Sequence, residues 1–120
     1  MATILLADDD AAVRDLVRRA LAAEGHSVHV TQDGAEALEY LQGHAGTIDL
    51  LVTDVDMPQL DGVSLAREAL KLKPALSIVL MSGFSDQLDR ASGLDADRLA
   101  SISKPFTLEQ IKALVRTVLT

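Results

Sequence analysis

The chain contains no cysteine, so disulfides and thiolate metal sites are excluded. Aromatic residues make up only 2% of its 120 residues, namely Tyr40, Phe84 and Phe106, and the core must be built from Leu, Val, Ile and Ala. A surplus of positive charge is also missing, since the formal net charge is −7. Nucleic acid is therefore not an expected partner, because non-specific binding needs clustered Lys and Arg to release counterions from phosphates. Acidity by itself says little more, being commonly a solubility trait. No apolar run approaches the roughly 18–20 residues of a membrane span; the N-terminal one is about five residues long and lacks a basic segment before it. A soluble, cytoplasmic protein without membrane partners is expected. No repeat, low-complexity stretch or linker breaks the chain, so 1–120 reads as one domain.

What is present is a 48% hydrophobic composition arranged in two alternating patterns. Thr3–Ala7, Ser27–Thr31, Leu50–Asp54, Ser77–Ser82 and Ala100–Ser103 read as short strands. Three of these are nearly unbroken apolar runs, as expected of strands buried on both faces. Between them apolar residues recur at helical spacing: Val13, Leu16, Val17, Ala20 and Leu21; then Ala37, Leu38 and Leu41; then Leu65, Ala66, Ala69 and Leu70; finally Leu108, Ile111, Leu114, Val115 and Val118. Asp33 with Glu36, and Thr107 with Gln110, have capping-box spacing, and Gly25 stands where the first helix should stop. Asp86–Arg98 carries few apolar residues and is interrupted by Gly93, so a helix there is marginal. The regular alternation of strand and helix implies an α/β domain with a parallel sheet, right-handed crossovers and helices on both faces.

In such a sheet ligands bind beyond the carboxyl ends of the strands, where the strand order reverses. The polar residues at those ends are Asp8-Asp9-Asp10, Asp54-Val55-Asp56, Ser82-Gly83 and Ser103-Lys104-Pro105. If the first and third strands are neighbours, their acidic tips crowd one edge. Two carboxylates about 5 Å apart repel by roughly 3 kcal/mol at an effective dielectric of about 20. A cluster of three must hold protons or hold a cation. Its ligands are hard oxygens with no Cys and no nearby His, a set that suits Mg2+. Lys104 adds a compact positive charge. Metal, lysine and a hydroxyl around a carboxylate make a site for a dianionic phosphoryl group, and an aspartate so placed is able to form an aspartyl phosphate.

Four motifs in order carry a resemblance. Ile4-Leu5-Leu6-Ala7-Asp8-Asp9-Asp10, Thr53-Asp54-Val55-Asp56-Met57-Pro58 with Leu60-Asp61-Gly62, Met81-Ser82-Gly83, and Ser103-Lys104-Pro105-Phe106 together resemble the receiver domain of bacterial two-component response regulators, over the whole chain. The resemblance implies a flavodoxin-like, doubly wound (βα)5 fold with strand order 2-1-3-4-5. It implies that Asp54 accepts the phosphoryl group, that Asp8, Asp9, Asp54 and the backbone carbonyl of Asp56 hold Mg2+ with Asp9 a direct ligand, and that Ser82 and Lys104 bind phosphoryl oxygens. The Lys104–Pro105 bond is expected to be cis. The implied partners are a histidine kinase or histidine phosphotransfer protein as donor, and a downstream effector protein or adjoining kinase domains as receiver of the output. The domain is expected to catalyse only its own phosphorylation and slow dephosphorylation. The chain departs from the family at Ser101, where an aromatic is usual, and at Asp97-Arg98, where a small-residue pair is usual; the polar fourth segment is similar to that of receivers from hybrid kinases and of some stand-alone receivers. With no output domain after Thr120, the output is expected to be a protein contact, a relay step or a neighbouring domain.

Blander roles compete at several positions. Asp10 is expected to cap the first helix. The side chain of Asp56 either faces solvent or acts on the metal and attacking water. Asp61-Gly62 reads as a turn in which glycine supplies backbone freedom. Phe106 reads as packing, Phe84 as a pocket flank, Tyr40 as the edge of the second helix, and His26, His29 and His44 as surface residues. The outer face of the last helix, with Gln110, Lys112, Ala113 and Arg116, is either solvated or a partner surface. Asp54-Val55-Asp56 also fits the Asp-x-Asp motif of haloacid-dehalogenase phosphatases, although that family is longer and places its metal acids after the nucleophile. A degenerate receiver that only binds partners is the third reading.

Overall fold

The computed structural model describes residues 1–83 and 98–120. Its elements are β1 (Thr3–Ala7), α1 (Ala11–Ala23), β2 (Ser27–Thr31), α2 (Gly34–His44) with a short 3-10 turn (Ala45–Thr47), β3 (Leu50–Asp54), α3 (Gly62–Leu72), β4 (Ser77–Ser82), β5 (Leu99–Ser103) and α4 (Leu108–Leu119). All five expected strands form, the last starting one residue earlier than its apolar pattern suggests. Phe84, Gly93, Asp97 and all of the expected fourth helical segment except Arg98 lie outside the described residues.

The sheet is parallel throughout, in the order β2-β1-β3-β4-β5. This is the doubly wound order expected from the resemblance. The central strands β1, β3 and β4 are buried along almost their whole length, which is why they read as unbroken apolar runs. The edge strands β2 and β5 alternate instead. Odd and even positions divide the core in two. Leu5, Leu51, Ile78 and Leu80 pack against α2 and α3 through Ala37, Leu41, Leu65 and Ala69. Ile4, Leu6, Val52 and Val79 pack against α1 and α4 through Val17, Leu21, Ile111 and Val115. Each fully buried Leu or Ile contributes about 1.5–3 kcal/mol from its transfer out of water.

Two residues of the apolar stripes stay exposed, Leu16 and Leu108, both at 39%. Leu16 is rotated by about 100° from Val17 around the helix and falls on the flank of α1. Leu108 opens α4, the end of the stripe. Local chemistry sets the helix ends. Asp10 caps α1 by accepting from the N–H groups of Ala12 and Val13. Thr107 and Gln110 form a reciprocal capping box on α4. Asp33 caps α2 by accepting from Glu36 N–H, but the Glu36 carboxylate reaches Gln32 N–H rather than Asp33, so that box is only half formed. Gly25, at φ +89°, ends α1. Its N–H bonds to Ala22 O and that of His26 to Leu21 O, the pair of bonds that a left-handed residue after the cap allows. No helix among the described residues is long and apolar enough to cross a membrane.

Candidate functional site

Parallel pairing of β1 with β3 sets Ala7 opposite Thr53. The next residue on each strand is then an aspartate, Asp8 and Asp54, at the same sheet edge. Asp8 is fully buried and Asp54 is 6% exposed, whereas Asp9 faces solvent. One carboxylate oxygen from each of Asp8, Asp9 and Asp54 lies within 4.8 Å of the other two. Lys104 directly follows the last residue of β5 and precedes a cis Lys104–Pro105 bond. Its Nζ sits 3.1 Å from Asp8 Oδ2 and 3.2 Å from Asp54 Oδ1. The Lys104 N–H donates to Ser82 O at 2.7 Å, which ties the lysine turn to the end of β4. Ser82 itself is buried at that strand end. Of the expected site residues, then, Asp8, Asp9, Asp54 and Lys104 share one cluster and Ser82 lies at the same edge. Asp56 is exposed, two residues past Asp54, and its carboxylate is outside the cluster.

Three carboxylates face a single lysine, so the cluster carries excess negative charge. Burial, then the facing Asp8 carboxylate, push the Asp54 carboxyl up to about 6, with Lys104 pulling it back only in part. Burial likewise raises Asp8 above the ordinary carboxyl value, against the hydrogen bond from Asp10 N–H and the Lys104 charge. For Lys104 burial opposes the ammonium, but Asp8 and then Asp54 outweigh it and hold the group above the usual lysine value. Three hard oxygen ligands, one of them open to water, with excess negative charge, fit a divalent cation of the Mg2+ type, which binds through one or two carboxylates and retains several waters.

The loop after β3 is held by close backbone approaches. Val55 N–H donates to Met81 O at 2.9 Å and Gly62 N–H to Val55 O at 2.8 Å. Thr53 is buried, and its hydroxyl donates to Asp54 O at 2.9 Å. A Cβ on Gly62 would stand 2.1 Å from that same carbonyl, and one on Gly34 would stand 2.0 Å from Leu60 O. This corrects the expectation of a turn at Asp61-Gly62. Asp61 is the N-cap of α3, accepting from Ser64 N–H, and Gly62 is the first helical residue. Glycine is needed there for space, and the positive φ of the loop falls on Gln59 instead, at 73°.

Residues outside the cluster also fall into place, one of them, Arg14, not singled out by the sequence. The Arg14 guanidinium donates to Asp8 O at 2.9 Å. A side chain on a helix leans back toward its N-terminus, so an arginine one turn after an acidic triplet was the available signal. His26 is half-buried rather than a plain surface residue. Its Nδ1 accepts from Ala2 N–H at 3.0 Å, and burial, then the N-terminal ammonium, lower its pKa. Tyr40 does edge α2, stacked between His29 and His44 with ring centroids 3.8 and 4.0 Å away. Phe106 packs against the α1–α4 side of the core. On the outer face of α4, Gln110 is turned into the capping box and Arg116 is paired with Glu24, the C-cap residue of α1. Ser101 is exposed on β5, beside a groove of about 610 Å³ whose walls include Ile102, Pro105, Ala113 and Leu114.

Comparison with known proteins gives a consistent answer. The profile of the family described as "Response regulator receiver domain" matches residues 4–116. The chain is 39% identical over 119 residues to the sensor kinase CckA of Brucella abortus, covering 98% of this chain and 12% of that protein. It is 39% identical over 116 residues to the response regulator MprA of Mycobacterium sp. (strain KMS), covering 97% of this chain and 50% of that protein. The chain thus spans half or less of these relatives. Its fold superimposes with a TM-score of 0.86 on the response regulator protein TrrA of Thermotoga maritima, crystallised in complex with Mg2+ and BeF, at 30% identity and covering 99% of this chain and all of that one.

Proposed function

From the premise that this chain belongs to the response regulator receiver domain family, we propose that residues 1–120 act as one phosphoacceptor domain in two-component signalling, taking a phosphoryl group from a phosphohistidine onto Asp54. The observation that carries this reading is the convergence of three carboxylates with Lys104 Nζ 3.1–3.2 Å from two of them. A pKa near 6 leaves the Asp54 carboxyl mostly ionised at neutral pH, as a nucleophile requires. An Asp54 oxygen forms the new O–P bond as the N–P bond of the phosphohistidine breaks, and the electron pair of that bond returns to the imidazole nitrogen. Asp8, Asp9, Asp54 and the Asp56 carbonyl hold Mg2+, with Asp9 a direct ligand. The cation supplies charge neutralisation for the phosphoryl oxygens. Lys104 takes one phosphoryl oxygen and the Ser82 hydroxyl another. The Asp56 carboxylate, exposed two residues past the acceptor, modulates metal binding or the attacking water.

The donor is a histidine kinase or histidine phosphotransfer protein, in the cytoplasm. The output is contact with an effector protein or with adjoining kinase domains, and the chemistry is limited to the domain's own phosphorylation and slow hydrolysis. New charge on Asp54 draws Ser82 and Lys104 inward and so biases β5 and α4, which carry those residues' neighbours. Ser101 removes the aromatic rotamer from that coupling. The phosphatase alternative loses its support: Asp56, the second acid of its motif, lies outside the cluster, and the receiver profile covers residues 4–116.

Incubation with acetyl phosphate and Mg2+, followed by mass spectrometry of the intact chain, tests the reading. One phosphoryl group should be added, only with Mg2+ present, and not in Asp54→Ala. Addition that persists in Asp54→Ala, or steady turnover of a small phosphate ester, would refute it.

A further inference from the structure

We propose that Arg14 is a positioning residue for the cation site: by holding the peptide between Asp8 and Asp9, its guanidinium aims the Asp9 carboxylate. This rests on the reading that Asp8, Asp9 and Asp54 hold Mg2+, and deepens it.

Only three residues, Asp8 to Asp10, separate the end of β1 from the start of α1. Asp8 is fixed by burial and by its bonds to Lys104 and Asp10 N–H. Asp10 is fixed as the helix cap. Asp9 is the exposed ligand between them, and among the described residues no hydrogen bond holds its carboxylate. The aim of its Cα–Cβ bond is therefore set by the two peptide planes on either side, which leaves only the side-chain torsions to orient the carboxylate. The Asp9–Asp10 plane is anchored by Asp10 N–H donating to Asp8 Oδ1 at 2.8 Å. The Asp8–Asp9 plane is anchored by Arg14 NH1 donating to Asp8 O at 2.9 Å. On its other side that residue, Asp8, is bound through its N–H to Thr31 O at 3.3 Å, a longer bond.

Arg14 is suited to this work. Its own N–H bonds to Asp10 O at 2.9 Å, so its backbone belongs to the first turn of α1, while its side chain reaches back across the turn to Asp8, the residue that follows β1. The bond is charge-assisted and part-buried, hence stronger than a neutral one. Groups that orient metal ligands commonly contribute about 10–100-fold to metal affinity without touching the metal. A plain structural role, by contrast, would alter folding stability and leave the affinity of the folded site unchanged.

The test is a Mg2+ titration of the full chain, followed by the amide NMR shifts of Asp9 and Asp10, on the wild type, Arg14→Met and Arg14→Lys. Methionine keeps a similar stem without the donor; lysine restores a cationic donor. Arg14→Met should weaken Mg2+ binding about tenfold or more, with partial recovery in Arg14→Lys and an otherwise native amide spectrum. A folded Arg14→Met with wild-type affinity overturns the role of Arg14 while leaving the metal site intact. If Arg14→Met does not fold, Arg14→Lys decides: affinity equal to wild type overturns the proposal, and a severalfold loss supports it. A wild type that fails to bind Mg2+ at all overturns both this role and the reading of the site beneath it.

Discussion

Asp54 is held in place against its own electrostatics. Its carboxyl titrates near 6 in the fold, whereas an unfolded aspartyl titrates near 4. The folded state therefore binds more protons than the unfolded state across that window, and stability falls as pH rises from about 4 to about 6, then stays lower. Asp54→Asn removes this slope. Without Mg2+ at pH 7 the variant should exceed the wild type by about 1–3 kcal/mol, and the difference should shrink toward zero below about pH 4. Urea unfolding at a series of pH values reads it; a variant no more stable than wild type at pH 7 would show that the cluster carries no such cost. Asp8 keeps a slope of its own in both proteins, since burial raises it too, so the difference between the two curves reports Asp54 together with its coupling to Asp8 and Lys104.

Elements matter because they deliver these groups through backbone contacts that leave no room for a side chain. α3 begins directly against Asp54: Gly62 Cα stands where any Cβ would meet Asp54 O at 2.1 Å. Gly62→Ala must push the first turn of α3 away from β3. It should destabilise the domain by about 1–3 kcal/mol or more, as overpacking does, and should slow phosphorylation by acetyl phosphate in protein that remains folded. An unchanged unfolding midpoint would mean that the loop gives way freely. The C-terminal helix offers a contrast. Thr107→Ala removes half of the capping box and should cost about 1 kcal/mol. Because Thr107 lies outside the carboxylate cluster, Mg2+ affinity should be unaffected, and a fall in affinity would show that the α4 cap reaches the site.

At the scale of the whole molecule, the acidic edge couples cation binding to folding. On the proposed reading Mg2+ would bind the assembled cluster and not the separated aspartates, and would stabilise the folded state by about 2.7 kcal/mol at a hundredfold excess over its dissociation constant. Asp8 and Asp54 are both raised above ordinary carboxyl values, so binding releases protons and is favoured as pH rises. The gain in thermal midpoint from a fixed Mg2+ concentration should be larger at pH 8 than at pH 5.5, by differential scanning calorimetry. Equal gains at both would rule out this coupling.

Periodicity and composition by themselves determined the five strands, the four described helices and the caps at Asp10 and Thr107, because aliphatic residues recur every 3.6 positions on a helix and run unbroken on strands buried on both faces. The same reading placed Asp8, Asp9, Asp54, Ser82 and Lys104 at strand ends, since parallel strands all point their carboxyl ends to one edge. What only the tertiary structure decided was distance: that Lys104 meets both Asp8 and Asp54, that Asp54 is driven to about 6, that Gly62 serves for space and not for turning, and that Arg14 reaches the Asp8 carbonyl. A pattern along the chain records which face a residue takes; contact between residues far apart in sequence depends on how the layers close, and no single segment carries that.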